Sequence, residues 1–324
     1  MGDAAGIGPE IIVKSLQDQH FRDFVRPVVI GDATVMTRTI AMLGLDAEVV
    51  DFVRESKMND STTEIFDLKN LTTDVPFGVV SPEAGKAAGE YIEKAVTLWK
   101  EGEIDALCTA PINKKSLNLG GYDFPGHTEF IASLTDTREF AMSFFADKLR
   151  VVLISTHLPL SEAIGQVQTE RLAKLIEFTD RTLSKLLKKK IMIAVAGLNP
   201  HASENGMFGS EERDEIEPAI EKCAAAGIDV SGPYSPDTIF LRGYRGEFDA
   251  VVACYHDQAT IAVKSLSFGS AVNVTLGLPL IRTSVDHGTA FDIAGKGVAD
   301  ASSMKAAIRL AGDLFAAGAT SKTP

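Results

Sequence analysis

Three of the six histidines follow short apolar runs that have the composition of buried strands. His157 comes after residues 151–154, His201 after residues 191–196 and His256 after residues 251–254. Because parallel strands deliver the residues at their carboxyl ends into one crevice, we expect these imidazoles to lie close together. Three neutral imidazoles can hold a divalent metal and leave a position open for water or substrate. A metal site is therefore favoured over the alternative, in which each histidine only bonds a nearby carbonyl group.

The residues around His256 supply two candidate catalytic groups. Asp257 is the next residue, and its carboxylate could either orient the imidazole or act as a general base. Lys264 follows in the same stretch and is the second candidate. Histidine ligands favour zinc or another transition ion, although magnesium, manganese and cobalt stay open.

His127 and Thr128 stand at a predicted helix start in the run PGHTEF. Their side chains could bind an anionic or hydroxylated ligand near the positive end of the helix. The alternative is a capping arrangement in which Thr128 is the N-cap. His20 lies among polar residues in a helical stretch, and we expect it on the surface.

Two glycine-rich segments could approach a ligand closely. Residues 2–10 (GDAAGIGPE) form a turn that feeds a helix, but they do not complete a GxGxxG pattern. A structural turn and a ligand loop are both compatible with that segment. Residues 287–297 are polar and rich in small residues, which favours a loop shaped around a flat or phosphorylated ligand over a plain surface connection.

Composition excludes several classes of protein. The net charge of −12 argues against a nucleic-acid-binding protein, which usually presents a basic face. No apolar run approaches the roughly 20 residues of a membrane span, and the start of the sequence lacks a secretory signal, so we expect a cytoplasmic protein. Three cysteines without a CxxC pair exclude a cysteine-rich zinc site and make a disulfide framework unexpected.

The elements that must position these residues alternate along the chain. Strand-like apolar runs occupy residues 27–30, 106–108, 151–154, 191–196 and 251–254. Amphipathic helices are predicted over residues 9–19, 33–43, 84–100, 169–188, 211–225 and 301–317. This alternation predicts an α/β fold with a largely parallel sheet. Residues 140–145 and 149–154 break the alternation and predict a β-hairpin, so some antiparallel pairing is expected.

Taken together, the motifs resemble the 4-hydroxythreonine-4-phosphate dehydrogenase family of vitamin B6 biosynthesis and its paralogues. The matching stretches are residues 6–10 (GIGPE), 109–111 (TAP), 126–130 (GHTEF), 156–160 (THLPL), 199–202 (NPHA), 255–258 (YHDQ), 272–279 (VNVTLGLP) and 281–290 (IRTSVDHGTA). They span essentially the whole chain in unbroken order, which makes the resemblance specific.

The resemblance implies roles for individual residues. His157, His201 and His256 would ligate a divalent metal. His127, Thr128, Lys264, Asn273 and Arg282 would contact the substrate, with Lys264 and Arg282 holding its phosphate or carboxylate. The segment with His287, Gly288, Thr289 and Asp292 is similar to the loop that cradles the cofactor adenosine in decarboxylating dehydrogenases.

The resemblance also implies a fold and a reaction. The fold would be similar to that of isocitrate and isopropylmalate dehydrogenases: two α/β domains, residues 1–130 with 272–324 and residues 131–271, a mostly parallel mixed sheet and an active site in the cleft. The enzyme would be a homodimer whose site is completed at the subunit interface. A secondary alcohol of a phosphorylated four-carbon hydroxy acid would lose hydride to NAD or NADP, giving a β-keto acid that decarboxylates.

The chain departs from the family pattern at three places. Ala4 stands where the family usually has proline, and no strand precedes this motif, so either the sequence begins partway into the protein or the sheet lacks a strand. Residues 259–263 (ATIAV) replace a run with glycine and proline, which suggests a different substrate. Residues 204–209 (ENGMFG) are closer to catabolic paralogues that oxidise threonate or erythronate 4-phosphate.

Two functions outside the dehydrogenases stay open on the residues alone. A metal-dependent hydrolase could use three histidines, but it would have no need of the cofactor segment at residues 287–297. A non-catalytic binding protein for phosphorylated acids would retain Lys264 and Arg282 without needing three metal ligands.

Overall fold

The computed structural model describes residues 1–18, 24–54, 62–71, 74–267 and 269–318. The helices are α1 (Gly8–Leu16), α2 (Ala33–Met42), α3 (Pro82–Lys100), α4 (Lys114–Leu119), α5 (His127–Leu134), α6 (Leu160–Ile164), α7 (Thr169–Leu187), α8 (Glu217–Ala225), α9 (Pro236–Tyr244), α10 (His256–Ser267) and α11 (Ser302–Ala316). The strands are β1 (Val29–Gly31), β2 (Glu48–Asp51), β3 (Thr62–Asp67), β4 (Ala106–Thr109), β5 (Ala141–Ala146), β6 (Leu149–Leu153), β7 (Ile193–Ala196), β8 (Val230–Tyr234), β9 (Ala250–Ala253), β10 (Val272–Leu276) and β11 (Ile281–Ser284).

The chain divides into two compact units. The first comprises Met1–Arg138 and Leu278–Phe315, and the second comprises Glu139–Gly277 and the described residues after Phe315. The sequence-based boundaries after residues 130 and 271 lie within eight residues of these divisions. Strand β10, expected on the cofactor side, belongs to the second unit.

The first unit contains two groups of paired strands. In the first group β3 lies between β1 and β2, parallel to both, and in the second β4 pairs in parallel with β11. Local capping explains where its longer helices begin. The Asp32 carboxylate accepts from the backbone N–H groups of Thr34 and Val35 at the start of α2. Ser81 accepts from Ala84 at the start of α3, where Pro82 occupies the first turn.

The second unit has six strands in the order β10-β5-β6-β9-β7-β8. Strand β5 is antiparallel to β10 and β6, whereas β6, β9, β7 and β8 all run in the same direction. Strands β7 and β9 are buried along their whole length, as expected for parallel strands covered on both faces. The predicted α/β class with a mixed, mostly parallel sheet is confirmed.

The β-hairpin predicted between residues 140 and 154 is confirmed as β5 and β6. Ala146 pairs with Leu149, which leaves Asp147 and Lys148 as a two-residue loop. Asp147 has a φ of 53°, a left-handed conformation that aspartate tolerates better than most residues. The hairpin turns the chain so that β6 joins the parallel strands that follow.

The predicted helices are confirmed to within a few residues at their ends, except that the end of the 9–19 prediction lies outside the described residues. In α7 the buried residues Leu172, Ile176 and Leu183 recur at helical spacing and form one apolar face. The predicted helix at 211–225 is present as a π-helical turn, Glu212–Ile216, followed by α8. None of the helices within the described ranges is long and apolar enough to cross a membrane.

Candidate active site

The three strands that precede His157, His201 and His256 are neighbours that run in parallel. Strand β9 lies between β6 and β7. Their carboxyl ends therefore share one edge of the second unit, and each histidine follows its strand there. His256 is the first residue of α10, which begins directly after the β9 loop.

His157 and His256 lie close together at this edge. Their ring centroids are 5.8 Å apart and the ring planes are inclined by 42°. His157 is exposed, and the side chain of His256 is 37% exposed, so both rings are accessible to a ligand. Two accessible imidazoles at this separation have the donor chemistry of a transition-metal site.

Asp257 lies beside the His256 ring. Its Oδ1 is 2.7 Å from Nδ1 of His256, so Nδ1–H can donate to the carboxylate while Nε2 points elsewhere. This contact fits the orienting role that was one of the two alternatives for Asp257. Asp257 is itself well exposed, which keeps it open to solvent.

His201 lies in a loop with an unusual backbone. It has φ 54° and ψ 28°, and residues 201–205 all have positive φ. Its ring centroid is 6.3 Å from that of Phe208. Within the part of the chain that the structure describes, no group of three or more His, Cys, Asp or Glu side chains is arranged to hold a metal ion. The three-histidine site therefore stays a proposal.

The start of this loop is held by Glu212, which the sequence analysis missed. The Glu212 carboxylate is buried, and its Oε1 accepts from the backbone N–H groups of Leu198 and Asn199 at 2.8 and 2.7 Å. Its Oε2 accepts from Nδ2 of Asn199 at 2.9 Å. Nothing in the acidic run that contains Glu212 distinguishes it from a surface carboxylate.

Arg282 places a buried positive charge in the first unit. Its side chain is buried, and an NH2 group donates to Oγ1 of Thr109 at 2.8 Å. Burial lowers the pKa of Arg282 to about 10, so the guanidinium keeps its charge at neutral pH. Thr109 belongs to the TAP motif, which suggested family membership but no role for this hydroxyl.

His127 stands at the first position of α5. Burial, followed by the nearby charge of Arg282, holds the pKa of His127 well below its usual value. A neutral imidazole beside a guanidinium can accept or donate a hydrogen bond to an anionic, hydroxylated ligand. The alternative in which Thr128 caps the helix is wrong, because the N-cap is Gly126, which has no side chain to bond the first turn.

The segment at residues 287–297 is braced by the glycine-rich turn at residues 2–10. The backbone N–H of Ile7 donates to the carbonyl of Thr289 at 3.0 Å. A Cβ on Gly6 would lie 3.0 Å from Cβ of Thr289, so a glycine permits this close approach. The buried carboxylate of Glu10 accepts from the N–H of Ala299 at 2.7 Å, just beyond the segment. The turn therefore has a structural role, one of the two interpretations left open.

The predicted cofactor residues of this segment differ in their exposure. Gly288 and Asp292 are exposed, and Thr289 is half-buried. Nδ1 of His287 lies 3.1 Å from the carbonyl oxygen of Gly288. The segment is irregular and carries no helix or strand between β11 and α11.

The other predicted substrate residues belong to the second unit. Lys264 is exposed on α10, about 12 Å along the helix axis from His256. Asn273 is half-buried on β10, opposite Phe144 of β5. Within the described residues its Oδ1 is buried and accepts no hydrogen bond, a feature often seen where a ligand supplies the missing partner. His20 lies outside the described residues.

Sequence comparison identifies relatives over almost the whole chain. The D-threonate 4-phosphate dehydrogenase of Cupriavidus necator is 47% identical over 317 residues, which cover 97% of this chain and 95% of the relative. The 4-hydroxythreonine-4-phosphate dehydrogenase of Desulforapulum autotrophicum is 46% identical over 315 residues, covering 96% and 93%.

Structure comparison agrees with these relatives. The crystal structure of 4-hydroxythreonine-4-phosphate dehydrogenase from Klebsiella pneumoniae superposes with a TM-score of 0.89 at 42% identity, covering 97% of both chains. A family model described as pyridoxal phosphate biosynthetic protein PdxA matches residues 23–311. The resemblance drawn from the eight sequence motifs is thereby confirmed, and the chain belongs to the PdxA family of pyridoxal phosphate biosynthetic proteins.

Proposed function

We propose that this chain is an NAD(P)-dependent dehydrogenase that oxidises the secondary alcohol of a phosphorylated four-carbon hydroxy acid. The observation that carries the proposal is the similarity to dehydrogenases of such compounds over nearly the full length of both chains. The product is a β-keto acid, which loses carbon dioxide readily.

Two substrates of this class are supported by relatives whose sequence identities to this chain are almost equal. One is 4-hydroxythreonine 4-phosphate, and the other is D-threonate 4-phosphate, on which the relative from C. necator acts by its name. Residues 204–209 and 259–263, where the sequence departs from the biosynthetic pattern, favour the second compound. Both carry the two anionic groups that a cationic site would bind.

The metal part of the proposal assigns His157, His201 and His256 as ligands. Two accessible imidazoles with ring centroids 5.8 Å apart support a site for a divalent ion, with zinc favoured. The Asp257 carboxylate supports it too, because its contact with Nδ1 of His256 leaves Nε2 as the ligand atom. A metal bound there would lower the pKa of a coordinated hydroxyl. Asp257 then keeps the His256 ring in one orientation, or accepts the proton as the general base, a choice that a pH–rate profile decides.

In the first unit, Arg282 would bind the phosphate or carboxylate through its guanidinium, with Thr109 holding its orientation. His127 and Thr128 would contact the substrate hydroxyl or phosphate oxygens. In the second unit, Lys264 and Asn273 stay predicted substrate contacts. The segment with His287, Gly288, Thr289 and Asp292 would hold the adenosine of NAD or NADP.

We further propose that the enzyme is a homodimer with its site at the subunit interface. The second unit exposes apolar side chains in the loops that carry His157 and His201 and on α6, which follows His157. They are Leu158, Leu160, Ile164, Met207 and Phe208. Apolar side chains gathered near a polar site are typical of an interaction surface. A cytoplasmic location stays a prediction.

The dehydrogenase proposal is tested by following reduction of NAD and NADP at 340 nm with both phosphorylated acids. Turnover of one acid and release of carbon dioxide are expected. A hydrolase would instead leave both cofactors oxidised and produce no thermal shift with either. His201→Asn removes the imidazole but suits the left-handed backbone, so it should abolish metal binding and turnover while the protein stays folded. Glu204→Gln, in the same exposed loop, is the control.

The dimer is tested by light scattering during gel filtration. Leu160→Glu should shift the mass from that of two chains to that of one, whereas Leu119→Glu, equally exposed in the first unit, should not. A monomeric wild type would contradict the dimer without affecting the assignment of the reaction.

A further inference from the structure

Hydrogen bonds of Gln258 and Cys254 join the loops that carry the three histidines. Gln258 lies in the first turn of α10, two positions after His256. Its Oε1 accepts from the backbone N–H of Cys254 at 2.7 Å, and its Nε2 donates to the carbonyl of Gly197 at 2.8 Å. One side chain thus connects the β9 loop, which leads to His256, with the β7 loop, which leads to His201.

Cys254 extends this connection to the third loop. Its carbonyl accepts from Oγ of Ser155 at 3.1 Å, and Ser155 lies just before His157. Its thiol lies 3.4 Å from the carbonyl of Ala196 at the end of β7. Cys254 is buried, and its thiol can donate to this carbonyl. All three strand ends are therefore linked through Cys254 and Gln258.

Gly197 accepts this contact in a crowded position. Its N–H donates to the carbonyl of Tyr234 on β8 at 2.8 Å, while its own carbonyl receives the Gln258 amide. A Cβ at this position would lie 2.9 Å from the Cα of Ala202, next to His201. A displacement of Gly197 would consequently be transmitted to the His201 loop.

An amide is the side chain that satisfies both partners. The Cys254 N–H needs an acceptor and the Gly197 carbonyl needs a donor, and glutamine supplies both on one planar group. An ionised glutamate keeps the acceptor but turns an oxygen toward the Gly197 carbonyl. Methionine has a similar length and offers neither group. Buried partners left without a hydrogen bond are costly, so the loops would move to recover them.

We propose that Gln258 is a positioning residue that sets the distance between His256 and His201. Through Cys254 it also sets the distance of His157 from these two histidines. It acts on the metal ligands and does not itself touch metal or substrate. The inference rests on the proposed function, because it assumes that these histidines bind a metal ion.

The test is the affinity of the purified protein for Co²⁺, measured by competition with a chromophoric chelator. Gln258→Met should bind Co²⁺ about 10–100-fold more weakly than the wild type, as expected for loss of a group that orients ligands. Gln258→Glu keeps one of the two hydrogen bonds, and its affinity for Co²⁺ should lie between those of Gln258→Met and the wild type. Gln168→Met makes the same change at an exposed site in the second unit and should bind like the wild type.

A general loss of stability must be distinguished from a loss of positioning. Leu183→Ala removes a fully buried side chain from α7 and should lower the midpoint temperature at least as much as Gln258→Met. Its Co²⁺ affinity should nevertheless equal that of the wild type. Hydrogen exchange of the peptide containing Cys254 should become faster in Gln258→Met and stay unchanged in Leu183→Ala.

The outcomes separate the two proposals. If the wild type binds Co²⁺ and Gln258→Met binds it equally well, the role of Gln258 is overturned and the metal site stands. The same conclusion holds if Leu183→Ala loses as much affinity as Gln258→Met. A wild type that binds no Co²⁺, Zn²⁺ or Mn²⁺ would overturn both the metal site and the role assigned to Gln258.

Discussion

The buried carboxylate of Glu212 accepts hydrogen bonds from both nitrogens of Asn199, the backbone N–H at 2.7 Å and Nδ2 at 2.9 Å. Asn199 is the residue from which the loop with His201 begins. Left-handed backbone at five successive non-glycine residues is unfavourable and persists only where the surroundings enforce it. Glu212 supplies part of that enforcement.

Replacing Glu212 with glutamine should therefore destabilise the protein. The amide oxygen can still accept from the backbone, but its NH2 group faces the Asn199 amide, so one buried donor loses its acceptor. The expected loss is about 1–3 kcal/mol in the free energy of unfolding, measured by urea denaturation. Glu211→Gln is the matched control, since Glu211 also accepts from Asn199 but is less buried. Equal losses in the two variants would contradict the special role of Glu212.

The His201 loop also shows where prediction from sequence fails. The histidine itself could be predicted, because it follows an apolar strand and lies in a family motif. The left-handed backbone of residues 201–205 could not, since alanine, serine and glutamate rarely adopt positive φ. What holds this backbone is the buried carboxylate of Glu212, thirteen residues after Asn199 in the sequence. Contacts of this kind depend on tertiary structure and leave no local pattern.

More of the fold than of the site could be predicted from the sequence. Apolar periodicity was enough to predict α2, α3 and α7, because each helix buries one clear face. The β5–β6 hairpin could be predicted because two apolar runs flank the polar pair Asp147 and Lys148. Strands β2, β3, β8, β10 and β11 were not predicted. Most residues of β2 and β8 are half-exposed or exposed, so their runs read as polar. Strands β3, β10 and β11 are largely buried, but polar residues such as Glu64, Asn273 and Arg282 interrupt their apolar pattern. Thr109 and Gln258 were present in quoted motifs, yet only the structure assigns partners to their side chains.

Thr109 should influence substrate binding through Arg282. Thr109→Val keeps the shape of the side chain but removes the oxygen that accepts from the guanidinium. Because a hydrogen bond to a charged group contributes about 1.5–3 kcal/mol, the KM for the phosphorylated acid should rise roughly tenfold or more. The KM for NAD(P) should stay within about twofold of the wild type. A proportional rise in both constants would argue against a role confined to the substrate anion.

A substitution at Gly6 should weaken the binding of the cofactor and leave the binding of the substrate unchanged. A methyl group in Gly6→Ala would press on the Thr289 side chain and carbonyl, which lie 3.0 and 3.1 Å from the added Cβ. Overpacking of this kind costs about 1–3 kcal/mol and should displace the segment at residues 287–297. We expect a KM for NAD(P) raised about 3–10-fold with little change for the acid. Gly165→Ala, whose Cβ would make only ordinary contact, is the control. An unchanged KM for NAD(P) would count against a cofactor role for this segment.

His127 should make stability depend on pH in a defined direction. Its pKa in the folded protein is held well below 6.5, first by burial and then by the charge of Arg282. Above pH 6.5 the imidazole is neutral in both states, and its contribution to stability is fully present. Below pH 6.5 the unfolded chain binds a proton that the folded chain does not, so stability falls by up to about 1.4 kcal/mol per pH unit.

This dependence can be isolated by comparing variants. Between pH 7 and pH 5, His127→Gln should lose less of its free energy of unfolding than the wild type, because glutamine does not titrate. Leu183→Ala, destabilised for an unrelated reason, should lose as much as the wild type over the same range. Urea denaturation at the two pH values gives the three differences. If His127→Gln and the wild type lost stability equally, the imidazole would not be held neutral by its surroundings, and the cationic site at Arg282 would have to be reconsidered.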